Sequence, residues 1–431
     1  MQKNSNLIKL QKNSNHIKFT PIDDGDSFGF VGQYLEYALE DKLLTPGRAL
    51  GFAEDLFSNN KVICWRFDYY TKVFNEIDKK NYGILNFDDF PDEYLDRVHI
   101  FGLDTEGWSP LEIDIPRYLH EGFAKNGEKL DHVFFITGNL RSKQYYDAWV
   151  DDNNFKTRIN VIELCNWDTY RSLEATGSLD TEYRKRFFNS RKDKLLSTYT
   201  DNKYFIYLSR RIRPHRTYLT SEIYHSDLRD KTILSHDKIS TEDEVGIVHE
   251  LHKFMTDEQK TLFSDKIKSL PTPLIADITN FEKNHANDFS EQIHLKSLIS
   301  VVGETIQDDY QNTSMFFSEK TFRPILLGQP FLIWGQHRCH RELFDKLGYK
   351  PYKKLFNYDF DKIEHIPTRA DALIKELQRV ANILDGKTKE EQIEWIYQDI
   401  SALRYNLLRM RYNQFSMDNF LGFKNNVEKL L

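Results

Sequence analysis

Short apolar runs rich in Val, Ile and Phe recur along this chain with helical stretches between them. That alternation restricts the fold more than any other feature. In the first half the runs are HIKFTPI (16–22), KVICWRF (61–67), RVHIFGL (97–103), HVFFITG (132–138) and RINVIEL (158–164). Helical periodicity fills DIPRYLHEGFAKNG (114–127) and SKQYYDAWVDD (142–152). A long charged segment, 180–202, interrupts the pattern, which then restarts with KYFIYLS (203–209), a helix over 215–228, KTILS (231–235) and a helix over 242–255. Later come HLKSLISVVGE (294–304), a helix from about 318, PFLIWG (330–335) and a helix over 340–349. Strands alternating with helices predict an α/β protein with mostly parallel sheets. The restart predicts two tandem Rossmann-like domains, 1–195 and 196–395, with a helical tail over 396–431 that can pack back on the first.

With 431 residues, 40% of them hydrophobic and 14% aromatic, the chain can fill two cores. Its 59 basic and 66 acidic residues leave a net charge of −7, so the protein as a whole is no polyanion binder. Three cysteines without close spacing offer neither a disulfide framework nor a zinc site, which suits a cytoplasmic protein. No apolar run reaches membrane-spanning length, and the polar N-terminus lacks a signal-peptide core. The doublet QKNSNLIK (2–9) and QKNSNHIK (11–18) is too short for a solenoid.

In doubly wound sheets ligands bind beyond the carboxyl ends of the strands, so the loops there hold the candidates. LSRRIRPHRTYL (208–219) places Arg210, Arg211, Arg213, His215 and Arg216 between a strand and a helix opened by Pro214. Guanidinium forks beside a helix N-terminus are what a diphosphate needs, although a solvated basic loop would read the same way. The second candidate is ETIQDDYQNTSMFFSEKTFRPILLGQPFLIWG (304–335). Glu304 ends a strand, Ser318 is the expected N-cap, Glu319 and Lys320 lie in the first turn, and Thr321 and Arg323 follow. The helix dipole disfavours a first-turn lysine unless an anion shares the site.

This stretch resembles the donor-site motif of fucosyltransferase-like enzymes, in which a Glu-Lys pair opens a helix that leads to a Pro-containing strand. It is also similar to a broad group of uncharacterised glycosyltransferase-like proteins from viruses and bacteria. There SRRIRPHR (209–216) and GYKPYKKLFNYDFD (348–361) have counterparts too. The resemblance covers 203–361 only. It implies two Rossmann-like domains facing each other (the GT-B type) with a nucleotide-sugar donor, GDP- or UDP-linked, on the second. It places Arg211, Arg213 and Arg216 near the diphosphate and Glu304, Glu319 and Lys320 around the donor. The N-terminal half lacks the fucosyltransferase signature, so the sugar stays open.

Acceptor chemistry is expected in the first domain. PIDDGDSFGFVGQYLEYAL (21–39) offers Asp24 and Asp26 either as an Asp-x-Asp metal motif or as the general base; the second is favoured because the arginines supply phosphate charge. Glu106 is an alternative base, Trp108 a stacking surface, and Asn139 and Arg141 weaker acceptor contacts. No bound metal is expected, and no triad elbow, Walker loop or GxGxxG fingerprint is present. Two further classes remain: a phage-type enzyme that glucosylates DNA, reached through YRKRFFNSRKDK (183–194), and a noncatalytic binder of sugar nucleotides or glycans.

Overall fold

The computed structural model describes residues 19–22, 61–67, 96–103, 115–127, 129–165, 181–199, 202–209, 211–240, 242–243, 246–247, 255–276, 291–305, 314–412 and 414–431. The chain forms two compact units, one of residues 1–170, 309–316 and 414–431, the other of 171–308 and 317–413. Both are α/β with parallel strands.

The first unit holds a five-stranded sheet in sequential order: β1 (Phe19–Ile22), β2 (Val62–Phe67), β3 (Val98–Leu103), β4 (Val133–Thr137) and β5 (Asn160–Glu163). The last four are parallel, while β1 runs antiparallel on β2. Alternate side chains of a strand face opposite ways, so each face needs its own cover. Val133 and Phe135 of β4 and Phe101 of β3 meet Leu119 and Phe123 of α1 (Ile115–Lys125) and Tyr146 and Val150 of α2 (Ser142–Asp152). Phe134 points the other way and meets Phe423, ring centroids 5.5 Å apart. That residue belongs to the C-terminal helix, Gln414–Leu430, whose Asn419 also donates to Glu163 O at 2.8 Å.

The second unit holds four parallel strands in the order β7 (Thr232–His236), β6 (Phe205–Ser209), β8 (Ile299–Gly303), β9 (Phe331–Trp334). From the centre, β6 connects outward to β7 and β8 connects outward to β9. The chain therefore reverses its direction of travel between β6 and β8. Right-handed crossovers of opposite direction place their helices on opposite faces. The side chains agree. Tyr207 of β6 donates to Arg216 O in the helix after β6, whereas Ile206 and Leu208 share a cavity with Lys320 and Pro324 in the helix after β8. The two central strands pair only at Phe205–Ile299 and Ile206–Ser300, so their carboxyl ends part.

The boundary expected at 195 falls instead at 170/171, because Thr181–Thr198, here α3, packs with the second unit. Lys192 pairs with Glu394, and Tyr199 donates to Gln392 Oε1 at 2.8 Å. The expected tail likewise divides: 396–413 stays with the second unit and only 414–431 joins the first. A helix the periodicity did not single out, α5 (Asp257–Lys268), has a complete capping box between Thr256 and Gln259. No described helix is long and apolar enough to cross a membrane.

Candidate functional site

At the parted ends of β6 and β8, two helices begin. After β6 the chain turns through Arg211 and Arg213 into α4 (Pro214–Tyr224), where proline at the first position suits the start of a helix. After β8 and its loop, Ser318 caps α6 (Glu319–Leu326), its hydroxyl accepting from Lys320 N at 3.3 Å. Two N-termini thus aim their backbone dipoles at one crevice.

Glu304 lies between them, buried at 1% exposure. Its backbone carbonyl accepts from His215 Nε2 at 2.8 Å and from Arg216 Nε at 2.9 Å. Its carboxylate accepts from Thr305 N at 3.0 Å, from Ser318 N at 3.2 Å and from the Thr321 hydroxyl. Room for this side chain is made just after β9: a Cβ at Gly335 would lie 3.0 Å from Glu304 Cβ. Gly303 is equally constrained, since a Cβ there would meet the Tyr207 hydroxyl at 2.8 Å.

Two cations close over this base. Arg216, 2% exposed, donates through one terminal nitrogen to Thr305 Oγ1 at 3.5 Å, and Lys320 Nζ reaches the same oxygen at 3.4 Å. Lys320 also pairs with Glu319. Burial makes both cations easier to deprotonate than usual; Arg216 adds to the shift of Lys320, Arg213 to that of Arg216, and Glu304 opposes it in both. Burial works against the ionised form of Glu319 too, but the Lys320 ammonium and Arg323 hold its carboxyl below the usual range. His215 is pushed down to about 3 by burial and then by Arg216, so it is a neutral donor. Trp334 Nε1 fixes it from behind through a 2.8 Å bond to His215 O, and Arg369 stacks over that indole while donating to Gly335 O. Beside Lys320, between α6 and the parted strands, lies a cavity of about 40 Å³, room for a few waters or one oxyanion group. No carboxylate lines it; Lys320, Arg323, His294 and Ser300 do.

The structure therefore brings His215, Arg216, Glu304, Ser318, Glu319, Lys320, Thr321 and Arg323 together, with Arg213 close enough to depress Arg216 and His215. Arg211 is exposed on the turn. Arg210, Asp24, Asp26, Glu106 and Trp108 lie outside the described residues. In the first unit, Asn139 is fully buried and its side-chain oxygen accepts from Arg141 N at 3.1 Å and Met315 N at 3.0 Å. Its carbonyl group shapes a loop. Thr305, Tyr207, Trp334 and Arg369 did not stand out in the sequence. Thr305 could have, as the neighbour of Glu304 at a strand end; the other three are recruited by packing alone.

One cluster has the makings of a metal site: the donor atoms of Cys339, His340 and Asp361 all lie within 4.8 Å of one another. The histidine tautomer argues against it. Ile333 N donates to His340 Nε2 at 2.9 Å, which puts the ring proton on Nδ1, and Nδ1 donates to Asp361 at 3.1 Å. A metal would need that nitrogen's lone pair. Asp361 also accepts from His340 N, Arg341 N and the Cys339 thiol, so the cluster buttresses the turn after β9. Family models, curated proteins and solved structures were all compared with this chain, and none matches it.

Proposed function

We propose that the protein is a glycosyltransferase that moves a sugar from a nucleotide-sugar donor to a hydroxyl acceptor. The donor's diphosphate would lie in the crevice beyond β6 and β8. The observation that carries this reading is the meeting of two cations, the buried Arg216 and the half-buried Lys320, at Thr305 Oγ1 between two helix N-termini. Four cations surround the crevice, Arg213, Arg216, Lys320 and Arg323, against two carboxylates, Glu304 and Glu319. An excess of positive charge at the crevice of a doubly wound sheet suits a phosphate-bearing ligand. The likeness of SEKT (318–321) to the donor motif of fucosyltransferase-like enzymes, and of SRRIRPHR (209–216) to a stretch of uncharacterised glycosyltransferase-like proteins, narrows that ligand to a sugar nucleotide, and the proposed two-domain GT-B arrangement rests on the same likeness.

In this reading Arg216 and Lys320 stabilise the charge that grows on the leaving diphosphate. Glu319 meets hydroxyls of the ribose or sugar once Lys320 has turned to phosphate. The cations and the helix dipoles supply the charge that a divalent metal supplies elsewhere. The acceptor and the base that deprotonates it fall to the first unit, with Asp24, Asp26 and Glu106 as the candidate bases.

The test is a thermal-shift panel of GDP-, UDP-, CMP- and dTDP-sugars. A ligand of the folded form raises the melting temperature by mass action. One of the panel should do so, and the shift should vanish in Lys320→Ala and Arg216→Ala. A folded protein that responds to none of them sinks the proposal.

A further inference from the structure

Glu304 connects the two helices whose N-termini face the crevice. We infer that it is a positioning residue that does not touch the ligand, fastening α4 with its carbonyl and α6 with its carboxylate so that Arg216 and Lys320 act on one anion. The inference rests on the anion-binding reading given above.

Each end of the residue is fully used. The carbonyl holds the His215 ring and Arg216 Nε, which orients the guanidinium along the crevice. The carboxylate holds Ser318 N, just before the first turn of α6, and the Thr321 hydroxyl one turn on, with Thr305 N between them. With three donors on its two oxygens, the carboxylate has little left for a sugar hydroxyl or a metal ion. Gly335 lets Glu304 approach β9, and Glu304 N donates to Trp334 O at 2.9 Å, so its backbone is locked into the sheet. One residue therefore sets the spacing between helices on opposite faces, which no ligand contact would require.

An amide cannot do the same. In Glu304→Gln one oxygen becomes an NH2 group facing N–H and O–H donors, and the negative charge beside both cations disappears. The charged groups around Lys320 are Glu319 on its own helix, Glu304 at the end of β8 and Arg216 from α4; Arg323 lies beyond Glu319, Arg213 beyond Arg216, and neutral His294 across the cavity. Removing Glu304 leaves Lys320 easier to deprotonate.

The experiment is calorimetric titration of the full chain with inorganic pyrophosphate between about pH 7 and 10, the range just below that of an ordinary lysine. Wild-type protein should bind and lose affinity at the alkaline end. Glu304→Gln should bind about tenfold more weakly, with the alkaline loss starting about one pH unit lower. Glu304→Asp, which keeps the charge, should restore the position of that limb. Thr321→Val removes one donor to the carboxylate and should weaken binding about threefold; it decides the matter if Glu304→Gln does not fold. Unchanged affinity and an unchanged limb in Glu304→Gln, or unchanged affinity in Thr321→Val when that variant decides, overturn the inference. If the wild type binds no pyrophosphate, the anion reading itself fails and takes this inference with it.

Discussion

Arg216 and Lys320 reach the same oxygen, Thr305 Oγ1, at 3.5 and 3.4 Å, from helices on opposite faces of one sheet. Two like charges so close, one buried and one half-buried, are costly unless an anion shares them. Arg216→Gln and Lys320→Gln should each weaken donor binding by roughly 10- to 100-fold, the range for a hydrogen bond to a charged group. The double variant should lose less than the product of the two, because the residues serve one ligand. Affinities from calorimetry with the best sugar nucleotide of the panel check both; single variants at wild-type affinity count against the site.

Glu319 already sits on Lys320, so an incoming phosphate must displace it. Glu319→Gln should therefore bind inorganic pyrophosphate a few-fold more tightly while binding the intact sugar nucleotide more weakly, as it loses a partner for hydroxyls. Measuring both ligands on one variant separates the two effects. A parallel change in both would refute this division of roles.

Acid should destabilise the second unit early. His215 and His294 are pushed down to about 3 in the fold, chiefly by burial, against 6.5 when unfolded. A depressed histidine stays neutral in the native state while the unfolded chain takes up the proton, so stability is full above pH 6.5 and falls below it. The loss is about 1.4 kcal/mol per histidine for each pH unit. The carboxyls of Glu319 and Asp361, held below 4.5 and 3.8, join only at lower pH. Urea midpoints should therefore drop between pH 6.5 and 5, and His215→Gln should flatten the slope by one proton. Equal midpoints across that range would contradict it.

The Cys339–His340–Asp361 cluster should ignore metals. With the His340 proton fixed on Nδ1, neither added zinc nor a chelator should move the melting temperature. Asp361→Asn should cost on the order of 3 kcal/mol, since it leaves buried donors unmatched. A zinc-dependent rise in melting temperature would reverse this assignment.

The strands of both sheets were legible because runs such as VFFIT (133–137) and FLIW (331–334) are buried on both faces and carry their own signal. Ser318 was legible as a cap because its function is local. The antiparallel direction of β1 and the place of α3 in the second unit were not, since neither depends on local propensity. Glu304 shows the same limit. Its sequence position marks it as a strand-end acid, but its carboxylate is taken by Ser318 and Thr321, 14 and 17 residues away. Whether an acid meets a ligand or its own chain depends on loop closure, which no local pattern records.

Phe134 is covered by Phe423, from a helix that follows the whole of the second unit in the chain. On the ribosome, β4 and β5 emerge on the order of ten seconds or more before that cover is made. Until then a greasy face of the nascent sheet is open to chaperones or to a neighbouring nascent chain. The second unit, whose described parts are all in hand by residue 412, can settle first. Vectorial synthesis here would finish the earlier half last.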